Sequence, residues 1–90
     1  KRASELGLSI NIAAKVAETS LASAAAAHAA AAIESFEWGI SLTHIYLECD
    51  PVKNPMAIEN GLVTVPHGPG LGIDVLTEVL GKPFLDLSGA

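Results

Sequence analysis

A carboxylate that directly follows a strand and precedes a helix stands where parallel α/β folds place their chemistry. Glu18 holds that position, between an apolar segment at residues 8–14 and an alanine-rich stretch at residues 21–33. It is the candidate catalytic residue. A carboxylate before a helix also has a structural use, because its charge favours the helix dipole by about 0.3–1 kcal/mol. Spacing alone leaves both readings open. Lys15 continues the strand face that carries Ser9, Asn11 and Ala13, since alternate residues of a strand share a face. A lysine there would hold a substrate carboxylate or steer an anion; the alternative is a solvated loop lysine. Asn11, on the same face, either binds substrate or satisfies interior hydrogen bonds.

The other reactive side chains offer less. His28 lies inside the alanine helix and reads as a core or interhelical histidine. His44 and His67 have no second histidine, cysteine or acid at metal-ligand spacing, so no zinc site is expected. Cys49 has no adjacent base and no Cys-x-x-Cys partner, which argues against catalysis. The glycines of Gly68-Pro69-Gly70-Leu71-Gly72 lack the lysine and the strand–loop–helix context of a phosphate-binding loop. The two prolines after Val65, Pro66 and Pro69, read as a rigid turn.

The elements that must position these residues follow from pattern. Lys1 to Leu6 read as the end of a helix with Gly7 just past its C-cap. Residues 8–14 read as a strand whose bulky face is Leu8, Ile10 and Ile12. Thr19 or Ser20 is placed to cap a helix over residues 21–33, and its alanine runs have the highest helix propensity available. Small residues let such a helix approach a sheet closely. Residues 40–47 fit an extended segment or a short helix. Asn60-Gly61 between apolar runs predicts a β-hairpin, and a short helix is expected over residues 74–80. Strand, loop and capped helix form the repeating unit of a parallel α/β fold. One such unit needs neighbouring strands and cover on both faces. The chain therefore divides into residues 1–34, the end of a barrel or sheet with its final strand and helix, and residues 35–90, a tail of different architecture.

Composition bounds the function. The ninety residues are 50% hydrophobic but only 4% aromatic. With a mean hydropathy of +0.43, the chain is too apolar for disorder and short of bulky core residues. A single cysteine excludes an internal disulfide and fits a reducing cytoplasm. The net charge of −5, with five scattered basic residues, argues against nucleic acid. No apolar run reaches the roughly 20 residues of a membrane span, and no signal peptide is visible. The start in mid-element, without methionine, suggests a segment of a longer polypeptide. The isolated chain is not expected to fold cooperatively.

Read in order, Gly7-Leu8-Ser9, Val16-Ala17-Glu18-Thr19-Ser20, Ala26-Ala27-His28-Ala29-Ala30-Ala31 and Phe36-Glu37-Trp38-Gly39 form a recognisable series. Asn60-Gly61-Leu62-Val63-Thr64-Val65-Pro66 and Gly68-Pro69-Gly70-Leu71-Gly72-Ile73 continue it. The series resembles the C-terminal part of the mandelate racemase/muconate lactonizing enzyme family, of the enolase superfamily. The Glu37-Trp38-Gly39 triplet leans toward its muconate cycloisomerase-like subgroup.

The resemblance implies an α/β fold: the last βα unit of a modified TIM barrel, then a C-terminal segment that completes an α+β capping domain. It implies abstraction of a proton α to a carboxylate, with Mg²⁺ stabilising the enediolate, by a racemase or epimerase, a cycloisomerase or a dehydratase. Glu18 matches the family's acidic residue at the end of the last strand, which strengthens it as a catalytic residue; Lys15 and Asn11 stand as substrate-binding candidates. The catalytic lysines and metal-binding acids belong to earlier strands. Mg²⁺ would thus be bound by parts of the enzyme outside this chain, whose partners would be the remainder of the enzyme or a complementary chain, a small carboxylate substrate and further copies in a homo-oligomer. The rival from another class is a small, acidic, non-enzymatic α/β interaction module. In the complete enzyme, Phe36, Trp38, Leu62, Val63, Val65, Leu71 and Ile73 are expected to be largely buried.

Overall fold

The computed structural model describes residues 1–33, 38–85 and 87–88. A short helix, α1 (Arg2–Glu5), opens the chain. It ends as its glycine requires. Gly7 has φ +69°, and the Gly7 and Leu8 N–H groups donate to the Ser4 and Ala3 carbonyls at 3.1 and 2.9 Å. These two bonds make a Schellman motif.

Strand β1 (Ile12–Ala13) follows, shorter than the expected residues 8–14. A strand is only as long as its partner. The neighbouring segment runs alongside from Trp38, whose N–H donates to the Ile10 carbonyl, to Ser41, whose carbonyl accepts from Ala14 N–H at 3.0 Å. The alternation itself holds over residues 9–14: Ile10, Ile12 and Ala14 are half-buried, and Ser9, Asn11 and Ala13 are exposed. Leu8, expected on the buried face, is exposed.

Helix α2 (Ser20–Ala31) is the alanine helix. Beyond it lies β2 (Ile40–Ser41), which pairs with β1 in parallel, Ile12 opposite Ile40 and Ala13 opposite Ser41. This corrects the expectation that residues 8–14 form the final strand, because a further parallel strand follows α2. It lies past the expected boundary at residue 34 and completes a strand–helix–strand unit with β1. Residues 40–47, left between extended and helical, are both in turn: β2, then a 3₁₀ turn at His44–Tyr46. Glu34 to Glu37 lie outside the described residues, so the expected end of the helical region there is not addressed. The structure is thus a small mixed α/β arrangement, and no closed barrel unit is present among the described residues.

The predicted hairpin forms as β3 (Ile58–Glu59) and β4 (Leu62–Val63), with Ile58 opposite Val63. Asn60 and Gly61 both have positive φ, +52° and +72°, as a tight I′ turn requires. Helix α3 (Thr77–Leu80) begins three residues later than expected. The chain just before it is paired instead: Val75 bridges Val52, Lys53 N–H donates to the Asp74 carbonyl at 2.9 Å, and Leu76 N–H to the Pro51 carbonyl at 2.8 Å.

The core is small. Ala24 and Ala27 of α2 meet Leu42 and Met56, with Ile40, Val63, Val65, Leu71 and Ile73 packed around them. Trp38 and Leu62 remain 71% and 74% exposed, and Phe36 is outside the described residues. The radius of gyration is 15.1 Å, against about 12 Å for a compact chain of this length. The accessible surface of 6796 Å² exceeds the roughly 4900 Å² of a folded monomer of this mass. The chain is thus open in shape, and large apolar side chains such as Leu6, Val16, Trp38 and Leu62 are left exposed. On its own the chain is therefore expected to lose structure gradually on heating. Circular dichroism checks this, and a sharp two-state melt of a monodisperse monomer would contradict it.

One glycine is sterically required. A Cβ on Gly72, at φ +73°, would lie 2.7 Å from the His67 carbonyl oxygen and 2.9 Å from the Pro66 carbonyl carbon. Gly70 has φ +61° with open space around it. Gly70→Ala should thus cost about 1–2 kcal/mol from left-handed strain alone, and Gly72→Ala clearly more. Urea denaturation of the intact polypeptide measures both; equal costs would show that the loop yields freely.

Candidate functional site

The two parallel strands end side by side, and Glu18 sits where they end. Residues 15–18 make a turn in which Glu18 N–H points at the Lys15 carbonyl, 3.4 Å away. Ala17, within it, has φ +62°, a conformation that non-glycine residues adopt only under constraint. The constraint comes from the end of β2. Thr43 Oγ1 accepts from Glu18 N–H at 3.3 Å and donates to the Lys15 carbonyl. One hydroxyl from the second strand thus closes the turn that follows the first. Glu18 is half-buried and Lys15 exposed.

Among the described residues, no ion pair joins Lys15 to Glu18; the Arg2–Glu5 pair of α1 is an exposed contact at 3.2 Å. Asn11 is tied down. Its Nδ2 donates to the Gly39 carbonyl at 3.1 Å, linking β1 to the residue that precedes β2. Of the two readings open for Asn11, the geometry supplies a satisfied hydrogen bond. Lys15 and Glu18 thus meet at the C-terminal end of the β1–β2 pair, with Thr43 as the unforeseen third, whereas Asn11 lies at the opposite, N-terminal end of the pair.

The start of α2 is also held from a distance. Thr19 is the N-cap residue, but neither its hydroxyl nor that of Ser20 caps a backbone N–H as expected. The Asp50 carboxylate does so, accepting from Ser20 N–H at 3.1 Å and from Ser20 Oγ. A carboxylate suits the positive end of a helix better than a hydroxyl does. That end is therefore already supplied with an anion from within the chain.

Sequence spacing shows of His44 only that it lacks metal partners. In the structure it is 3% exposed, with Nε2 donating to the Met56 carbonyl at 2.7 Å and Nδ1 paired with Ser23 Oγ at 3.0 Å. It fastens α2 to the segment that leads into the hairpin. His28, read as core or interhelical, donates from Nε2 to the Leu71 carbonyl at 2.9 Å, joining helix to loop rather than helix to helix. Cys49 and His67 are exposed. An apolar groove of about 430 Å³ lies between the C-terminal half of α2 and the hairpin, lined by Ala27, Ala30, Leu62 and Val65 among others. Among the described residues its lining carries no charged side chain and does not include Glu18.

Strand ends, a constrained turn and an acid at its close restrict the families to consider, and one model decides among them. The model described as "Enolase C-terminal domain-like" matches residues 1–79. The chain belongs to that family. No curated protein and no solved structure matches it. As an enolase C-terminal domain-like chain it belongs to the enolase superfamily, whose members generally bind Mg²⁺. The metal does not fit here: among the described residues, no group of three or more His, Cys, Asp or Glu is arranged to hold an ion. Nor is any described helix of this enolase-like domain long and apolar enough to cross a membrane.

Proposed function

We propose that this chain is the C-terminal part of an enolase-superfamily enzyme that abstracts a proton α to a carboxylate. The reading rests on one observation above the others: Glu18 lies at the C-terminal ends of two adjacent parallel strands, in a turn closed by Thr43. That is the end of a parallel α/β sheet from which such folds act on small molecules. Glu18 would face the substrate carboxylate. As negative charge grows there, the acid helps either by donating a hydrogen bond in its protonated form or by orienting a cation, with Lys15 the nearest candidate in sequence. Lys15 would hold the carboxylate; Asn11 would keep β1 against Gly39. Mg²⁺ and the proton-abstracting bases belong, in this reading, to segments outside the chain, and the working protein is an oligomer in the cytoplasm. Epimerisation, cycloisomerisation and dehydration share the abstraction step and diverge only after it.

The test follows that shared step. The protein is purified from its source and its mass measured, then incubated in D₂O with Mg²⁺ and a panel of small 2-hydroxy, 2-amino and N-acylamino carboxylates. Proton NMR should show loss of the α-proton signal for at least one of them. A ninety-residue monomer that exchanges none would favour the interaction module instead.

A further inference from the structure

We propose that Thr43 is the positioning residue for Glu18. The inference rests on the reading of Glu18 as a site residue and adds how the fold aims it. A threonine hydroxyl has one proton to give and lone pairs to receive. In Thr43 the proton goes to the Lys15 carbonyl and a lone pair takes Glu18 N–H. Both ends of the 15–18 turn are therefore referred to one atom. That atom is itself fixed, because Thr43 comes two residues after β2, whose last residue accepts from Ala14 N–H at 3.0 Å. The bond Glu18 N–H makes within its own turn is long, at 3.4 Å, and Ala17 is held at φ +62°. Without the hydroxyl, the turn loses the bonds that hold it closed, and the Glu18 backbone, from which the carboxyl projects, loses its tie to the second strand. The relation crosses 25 residues of sequence, so the second strand reports directly to the acid that follows the first.

The test uses the intact polypeptide and three substitutions. Thr43→Val keeps the branched shape and removes the hydroxyl; Thr43→Ser keeps the hydroxyl. By hydrogen exchange, Glu18 N–H protection should fall at least about tenfold in Thr43→Val and persist in Thr43→Ser. In the α-proton exchange assay, Thr43→Val should lower kcat by up to about 10²-fold, the scale of a small misplacement of a reacting group, with KM little changed and Thr43→Ser recovering most of the rate. In a Glu18→Ala background the same change should cost nothing further, because a residue that acts through Glu18 has nothing left to aim. Unchanged Glu18 protection in Thr43→Val, or an equal loss of rate with and without Glu18, overturns the inference while leaving Glu18 in the site. Undiminished exchange in Glu18→Ala alone overturns the reading of Glu18 and this inference with it.

Discussion

Replacing Glu18 with alanine should slow α-proton exchange by roughly 10²–10³, the range for removing one donor to a developing oxyanion. Proton abstraction places new negative charge on the substrate carboxylate, so the groups around it act mainly in the transition state, where differential binding lowers the barrier. Glutamine in place of Glu18 keeps a hydrogen-bond donor without an ionisable proton and should lose less. The competing account, in which Glu18 only serves the helix dipole, gives a different signature: about 1 kcal/mol of stability or less, with turnover intact. Measuring kcat and melting temperature on both variants separates the two. Unchanged turnover in the alanine variant would remove Glu18 from the site.

The largest stability effect is expected at His44. Replacing it with leucine fills most of the same space but removes both hydrogen bonds, leaving the Met56 carbonyl and Ser23 Oγ buried without the partners they have now. Each such orphan costs about 1–3 kcal/mol, so a total of about 2–6 kcal/mol is expected in the urea denaturation of the intact polypeptide. Removing Ser23 Oγ as well, in a His44→Leu/Ser23→Ala double variant, should restore part of the loss, because deleting both partners leaves one orphan fewer. A cost below about 1 kcal/mol for the single change would show that water reaches this pair.

Local signals were readable and distant ones were not. Gly7, Asn60-Gly61 and the alanine run each act on their own few residues, through positive φ or intrinsic propensity, and each appears where its residues predict. The placement of Glu18 after a strand and before a helix was equally local. Its brace was not, since Thr43 reaches it across 25 residues. The Asp50 cap on Ser20 spans 30 residues and the Ser23–His44 pair 21. Nothing in a single sequence distinguishes a serine or histidine that will find such a partner from one that faces water. A hint existed in retrospect: Ser20 and Ser23 interrupt an otherwise nearly all-alanine helix at a spacing of three, which places them on one face. The second parallel strand was obscure for a different reason. Two residues of ladder carry too little pattern to identify, and the pairing that makes Ile40–Ser41 a strand is supplied by Ile12–Ala13.

The fully enclosed side chains of α2 give the helix a lopsided tolerance to substitution. Ser20, Ser23 and Ala24 are 0% exposed and Ala27 is 2% exposed, so backbone lies about one methyl group from whatever covers this stripe. Ala25, Ala29 and Ala31 are exposed and have no such neighbour. The same conservative change, alanine to valine, would therefore mean two different things one residue apart. At Ala25 it would merely lower helix propensity; at Ala24 it would wedge α2 away from Leu42 and Met56. The helix works as a spacer of set thickness, and its low complexity records a distance rather than a lack of information.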